Sequence, residues 1–260
     1  MHWIFDHLLV LVLVVLFPLW SWYETRKKKR ALAESGETDH NAVSEYKQTM
    51  LALWGLCATC LVVWFLHSRP SEILGLGVGT ESLLRWGGGL AIAAAGLVFT
   101  FWQAEQVKKD EKARDEIQKQ VGEFSFYLPK TRVQLRWFNW VALSAGICEE
   151  ILYRGYLIWY IALLTGSIPA LFLSSIGFGI AHSYQGPGNA VRCGVVGLWM
   201  GTIYLVTGSL WIPMVTHFLV DVIGGRMIYH TFSEATPPAE GRERTQSVHF
   251  SRTGGILNDS

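Results

Sequence analysis

The residues 145–159, AGICEEILYRGYLIW, place Glu149, Glu150 and Arg154 inside a stretch that is otherwise apolar. On a helix Glu150 and Arg154, four apart, share a face, and Glu149 lies about 100° around from them. Two later stretches repeat the four-residue spacing: FGIAH aligns Phe178 with His182, and HFLVD aligns His217 with Asp221. Two adjacent acids in a low-dielectric site resist double ionisation, which suits one of them to take a proton from water and later deliver it to a leaving group. His182 and His217 carry groups that can hydrogen-bond a developing oxyanion, position the water or bind a metal. Asp221 can fix the tautomer of His217 or only satisfy its ring N–H. Arg154 can keep one carboxylate charged and oriented, or serve as its structural counter-ion. Phe178 reads as packing.

These residues must be carried by helices that cross a membrane. Half of the 260 residues are hydrophobic, and they come in long blocks with the charge confined between them. Blocks at 4–22, 49–66 and 83–102 each approach the roughly 17–25 residues that span a hydrocarbon core. Further spans are expected at 137–164, 168–182, 190–206 and 210–229. Gly166–Pro169 and the SYQGPGN stretch act as breakers. Many of the twelve tryptophans stand at block ends, as in interfacial belts. The expected fold is all-α, a polytopic transmembrane bundle of about seven spans with the motif-bearing helices around a central cavity. Three regions are expected: 1–136, three spans with basic links; 137–230, a catalytic four-helix core; and 231–260, a disordered cytoplasmic tail.

Sidedness follows from the basic residues. Arg26–Arg30, RKKKR, follows the first block, and Gln103–Arg136 is rich in Lys and Arg, so both links face the cytoplasm. The first block lacks the basic leader of a signal peptide and is expected to be retained. The chain is therefore expected to be multi-pass in a bacterial inner membrane, N-terminus outside and C-terminus cytoplasmic. Twelve residues separate Glu149 from Trp137, which puts it ~18 Å into the membrane. A central charge costs roughly 2.5–3.5 kcal/mol on insertion scales, so several on three helices must pair or line a wet cavity. A functional site explains them better than packing.

Other features read as structural. Cys57 and Cys60 form a C-x-x-C in an uncharged span and act as small packing residues. GLGVG at 75–79 lacks the strand–turn–helix setting of a nucleotide loop. Residues 105–121 read as a solvated, charge-laced helix. Gly197 and Gly201 make a small-xxx-small helix contact. Arg192 and Arg226 snorkel, while His67, His230 and His249 are interfacial or solvated. An Asn258–Ser260 glycosylation pattern stands on the wrong side and too near the terminus. A net charge of +1 argues against nucleic acid. Two histidines and a glutamate are a reasonable zinc set, but there is no H-E-x-x-H, so no cofactor is expected and zinc is not favoured.

EEILYR, FGIAH and HFLVD, in that order on successive apolar segments, resemble the E-E-x-x-x-R, F-x-x-x-H and H-x-x-x-N/D patterns of the CPBP family. These are CAAX-type prenyl proteases, bacteriocin-processing and immunity proteins and related intramembrane peptidases. The resemblance covers about 141–222. It implies a glutamic-type membrane endopeptidase acting on a membrane-tethered protein or peptide. By it Glu149 and Glu150 activate water, Arg154 supports them, His182 takes part in catalysis, and His217 and Asp221 stabilise the oxyanion. Asp221 stands where prenyl proteases usually carry asparagine. An ionised aspartate cannot donate a hydrogen bond, so support of His217 is its better role. A non-catalytic immunity or scaffold protein and a proton-coupled carrier are the alternative readings; the carrier lacks inverted repeats.

Overall fold

The computed structural model describes residues 3–35, 41–77 and 82–233. Ten α-helices run through it: α1 (Ile4–Leu11), α2 (Phe17–Ser35), α3 (Ala42–Leu66), α4 (Leu83–Lys109), α5 (Glu111–Val121), α6 (Arg132–Glu149), α7 (Ile158–Thr165), α8 (Ser167–Ala181), α9 (Pro187–Thr207) and α10 (Trp211–Ser233). Wide π-helical segments join α1 to α2 (Val12–Leu16) and α6 to α7 (Glu150–Leu157), so each pair is one rod. Short 3-10 turns occupy Gly122–Tyr127 and Ser183–Gln185. No strand occurs among the described residues, as expected for an all-α chain.

Local chemistry sets the helix ends. The side chain of Asn41 accepts from Ser44 N at the start of α3. Thr131 and Gln134 form a reciprocal capping box that starts α6, satisfying two otherwise orphaned amides. Gly166 and Gly186, at φ +84° and +101°, turn the chain before α8 and α9, where a side chain would be strained. Pro187 then opens α9 at a position that needs no amide donor.

Among the described residues, four helical rods are long and apolar enough to cross a membrane: Ile4–Glu34, Ala42–Leu66, Leu83–Lys109 and Pro187–Thr207. The protein is an integral membrane protein. The other three expected spans correspond to the α6–α7 rod, to α8 and to α10. Polar and charged residues dilute the first and last of these, and α8 is a shorter apolar helix of 15 residues. Leu16, Leu66, Leu84, Val98, Phe99 and Leu164 are among the large apolar side chains that point outward, as lipid-facing surfaces require. The link expected at 23–47 is largely helical, because α2 continues to Ser35 and α3 begins at Ala42. Of the expected tail, 231–233 completes α10. The rest, with His249 and Asn258, lies outside the described residues, as do the last two positions of GLGVG.

The α6–α7 rod is the centre of the bundle. It packs against α3, α8 and α10, while α4 braces α9 and α10 from outside. Gly146 permits the α6–α10 approach: a Cβ there would stand 2.9 Å from the Met214 carbonyl oxygen and 3.1 Å from the Phe218 nitrogen. Gly197 and Gly201, on α9, face Phe178 and Leu171 of α8, so their expected helix contact forms.

The α1–α2 rod is pinned at both ends. At one end Arg69 donates both guanidinium arms to the buried Asp6 carboxylate, at 2.7 and 2.6 Å. Tyr156 donates to the same carboxylate at 2.8 Å, and the guanidinium lies over Trp159 at 4.5 Å. At the other end Lys28 pairs with Glu45 of α3. A cysteine reading also stands: Cys57 and Cys60 are fully buried in the core beside Cys148.

Gly146→Ala and Gly55→Ala separate close packing from helix propensity, since the propensity gain of about 1 kcal/mol is common to both. A Cβ at Gly55 meets nothing within 4 Å. The Gly146 variant is expected to be less stable than the Gly55 variant by about 1–3 kcal/mol in detergent unfolding. Equal stability would contradict the close approach of α6 to α10.

Candidate active site

Glu150 opens the π-helical segment and is wholly buried. Its Oε1 accepts from Arg154 Nη1 at 2.8 Å and from His217 Nδ1 at 2.7 Å. A carboxylate oxygen can only accept here, so the Nδ1 of His217 carries the proton it donates. One atom thus joins the α6–α7 rod to α10. Arg154 is also buried, and its guanidinium lies 4.3 Å above the Phe178 ring. Its Nη2 has no hydrogen-bond partner among the described residues. Gly197 leaves it room, because a Cβ on that glycine would stand 3.5 Å from Nη2 and 3.2 Å from Phe178.

Phe178 is the shelf of the site. Its ring packs 4.5 Å from the His182 ring, 6.0 Å from His217 and 5.1 Å from Tyr153, the last two edge to face. Its carbonyl accepts from His182 Nδ1 at 2.8 Å, which fixes that ring at the end of α8. A carbonyl cannot donate, so the neutral ring has an Nε2 lone pair facing away from the backbone.

Glu149 occupies the ground between the histidines. Its Oε2 lies 3.9 Å from His182 Nε2 and 3.8 Å from His217 Nε2, and has no hydrogen-bond partner. Asp221 Oδ2 lies 3.7 Å from the same His217 Nε2. These separations are too long for direct hydrogen bonds and fit bridging by one small molecule. All six expected residues are therefore brought together. Among the described residues, no three His, Cys, Asp or Glu side chains converge as metal ligands.

A chamber of about 190 Å³ reaches Glu149 and His182, but not Glu150, His217 or Asp221. The motif-bearing helices supply Glu149, Leu152, Tyr153, Ala181 and His182 to its wall. Leu13, Phe17, Leu53 and Leu56 supply much of its wall, and Glu24, Lys28 and Glu45 also line it. The N-terminal helices thus build half of the cavity, because the α1–α2 rod leans against the core along its length. Tyr127 and Tyr184 line it as well, each with a partner: Thr49 at 2.7 Å and the Gln185 amide at 3.1 Å. Burial pushes both phenols well above the usual tyrosine range, so they stay neutral.

Paired carboxylates, an arginine and two histidines thus meet on the α6–α7 rod, α8 and α10. Residues 131–223 match the family described as type II CAAX prenyl endopeptidase Rce1-like. No curated protein and no solved structure matches the chain. The family points to a protease and to a membrane-associated peptide as its substrate.

Sequence reasoning did not find Tyr153, which lines the chamber and packs on Phe178. Its position four residues after Glu149, on the same helical face, was the available signal.

Replacing Arg154 by Met leaves the buried Glu150 carboxylate without its counter-ion. Loss of about 3–5 kcal/mol is expected, the usual cost of an uncompensated buried charge. Restoring stability by the double change Arg154→Met, Glu150→Gln would mark the pair as mutually dependent. Unchanged stability in Arg154→Met alone would contradict the pairing.

Proposed function

We propose that the chain is a glutamic-type intramembrane endopeptidase in which Glu149 activates the water that hydrolyses a peptide bond of a membrane-tethered protein or peptide. The observation that carries this reading is the unequal use of the two glutamates. Glu150 spends Oε1 on Arg154 and His217 and lies behind the chamber wall. The Oε2 of each has no hydrogen-bond partner among the described residues, but only Glu149 lines the chamber.

In this reading water sits among Glu149, His182 and His217. Glu149 takes one proton as the water oxygen bonds to the scissile carbonyl carbon, and the carbonyl π electrons move to oxygen. The tetrahedral intermediate collapses with cleavage of the C–N bond, and the proton held by Glu149 passes to the departing amine. His182 Nε2 orients the water by accepting from it. His217, its Nδ1–H held by Glu150, stabilises the developing oxyanion as an imidazolium, through Nε2–H. Asp221 supports His217 from the far side, which is the role its acidic side chain suits. Arg154 acts through Glu150. No step in this reading is routed through a metal.

The chamber reaches from Glu149 to Glu24 and Lys28, beside the basic run Arg26–Arg30. By the positive-inside rule that end faces the cytoplasm, so the substrate enters from the cytoplasmic side. The motif-bearing core supplies the reactive groups, and the N-terminal helices supply the wall that receives the substrate.

Membranes from cells producing the Glu149→Gln variant are expected to accumulate uncut membrane-tethered proteins that the parent cleaves. Mass spectrometry of the new termini identifies the cut sites. Identical termini from the parent and the variant would contradict the reading.

A further inference from the structure

Three tyrosines line the chamber that reaches Glu149, and they are not equivalent. Tyr127 and Tyr184 have hydrogen-bonded hydroxyls. The Tyr153 hydroxyl is buried and has no hydrogen-bond partner among the described residues. Leaving a buried phenol unsatisfied costs on the order of a lost hydrogen bond, so an orphaned one needs an explanation.

Everything else about Tyr153 is fixed. Its carbonyl accepts from the Ser174 hydroxyl at 2.8 Å, which ties its backbone to α8. Its ring stands edge-on against Phe178, the ring that also carries Arg154, His182 and His217. The wide π-helical turn holds it one turn beyond Glu149, on the same wall of the chamber. A rigid ring with a free hydroxyl beside the water-activating group is a preorganised donor.

The Nδ1 donors of both histidines are already engaged, and Arg154, whose Nη2 has no partner among the described residues, does not line the chamber. His182 Nδ1 is held by the Phe178 carbonyl, and His217 Nδ1 by Glu150. His217 Nε2 faces two carboxylates, Glu149 and Asp221, which compete with an oxyanion for it. Glu149, Glu150 and Asp221 make the neighbourhood rich in acceptors, so a neutral donor is what a developing oxyanion lacks.

We propose that Tyr153 is a further catalytic residue, whose hydroxyl donates a hydrogen bond to the scissile carbonyl oxygen as it becomes an oxyanion. The proposal rests on the hydrolytic reading above and adds a substrate-contacting group to it. The Tyr153 proton stays on the phenol throughout. The water proton still goes to Glu149 and then to the amine, so the balance of the step is unchanged.

Tyr153→Phe tests it, since the ring and its contact with Phe178 are kept. The probe is an internally quenched peptide carrying a cut site read from the new termini described above, cleaved by the purified full chain in lipid vesicles. The expected result is a fall in kcat of roughly 10²-fold with KM almost unchanged, as for loss of one oxyanion donor. A peptide aldehyde of the same sequence, which forms a tetrahedral hydrate, should lose affinity in step with kcat. A merely structural role would not produce that parallel loss, and the thermal midpoint of the variant should equal or exceed that of the parent, since an unsatisfied buried hydroxyl is removed. A kcat within about threefold of the parent overturns the role of Tyr153 and leaves the hydrolytic reading standing. If Glu149→Gln cleaves the probe as fast as the parent, the reading and the Tyr153 proposal fall together.

Discussion

A carboxylate and a guanidinium shut away from water must answer one another, and in this protein that pair is Glu150 and Arg154. Neither has access to solvent, so the cost of separating them from their hydration is met by the short contact between them and by the His217 N–H. Much of the local architecture serves that requirement. Gly197 clears the space that Arg154 occupies, Phe178 presents its ring face to the guanidinium, and Gly146 lets α10 come close enough to deliver His217. The Glu150 carboxylate thereby acts as a fixed point from which His217 is aimed, while its neighbour Glu149 is left available. Two adjacent, identical side chains acquire different environments because they project from the rod in different directions.

The second constraint concerns the wall of the chamber. The α1–α2 rod contributes Leu13 and Phe17 to it, so its position decides the shape of the space in front of Glu149. That position is held by Asp6 with Arg69 and Tyr156 at one end and by Lys28 with Glu45 at the other. Tyr156 belongs to the same π-helical segment as Glu150 and Arg154, so one stretch of chain orders both the reactive groups and their enclosure. The π-helical segment is the place where a regular helix would have been simpler, and such departures cluster at functional sites.

The all-helical membrane fold was legible because hydropathy in a bilayer is a strong, local signal. The i, i+4 spacings correctly paired Glu150 with Arg154, and the cost of buried charge correctly implied that the three motif helices converge. What the sequence did not carry was the wide turn at 150–157, since π-helical hydrogen bonding depends on tertiary packing and leaves no residue signature. The ends of α2 and α3 were misjudged because their polar residues look like a link when read by hydropathy alone. The role of Arg69 was hidden for a related reason: one basic residue in the link between α3 and α4 gives no hint of an aspartate 63 positions earlier. The different standing of Glu149 and Glu150 is likewise a property of their partners, Arg154 and His217, rather than of the EE dipeptide.

The central claim is that Glu149 delivers water to the peptide bond and does not itself attack it. A single turnover in water enriched in ¹⁸O, with the purified chain in excess over a peptide it cleaves, tests this directly. The account predicts one ¹⁸O in the new carboxyl terminus of the product and none in the proteolytic fragment that contains Glu149. Label in the Glu149 side chain, with an unlabelled first product, would mean a covalent acyl intermediate and would contradict it.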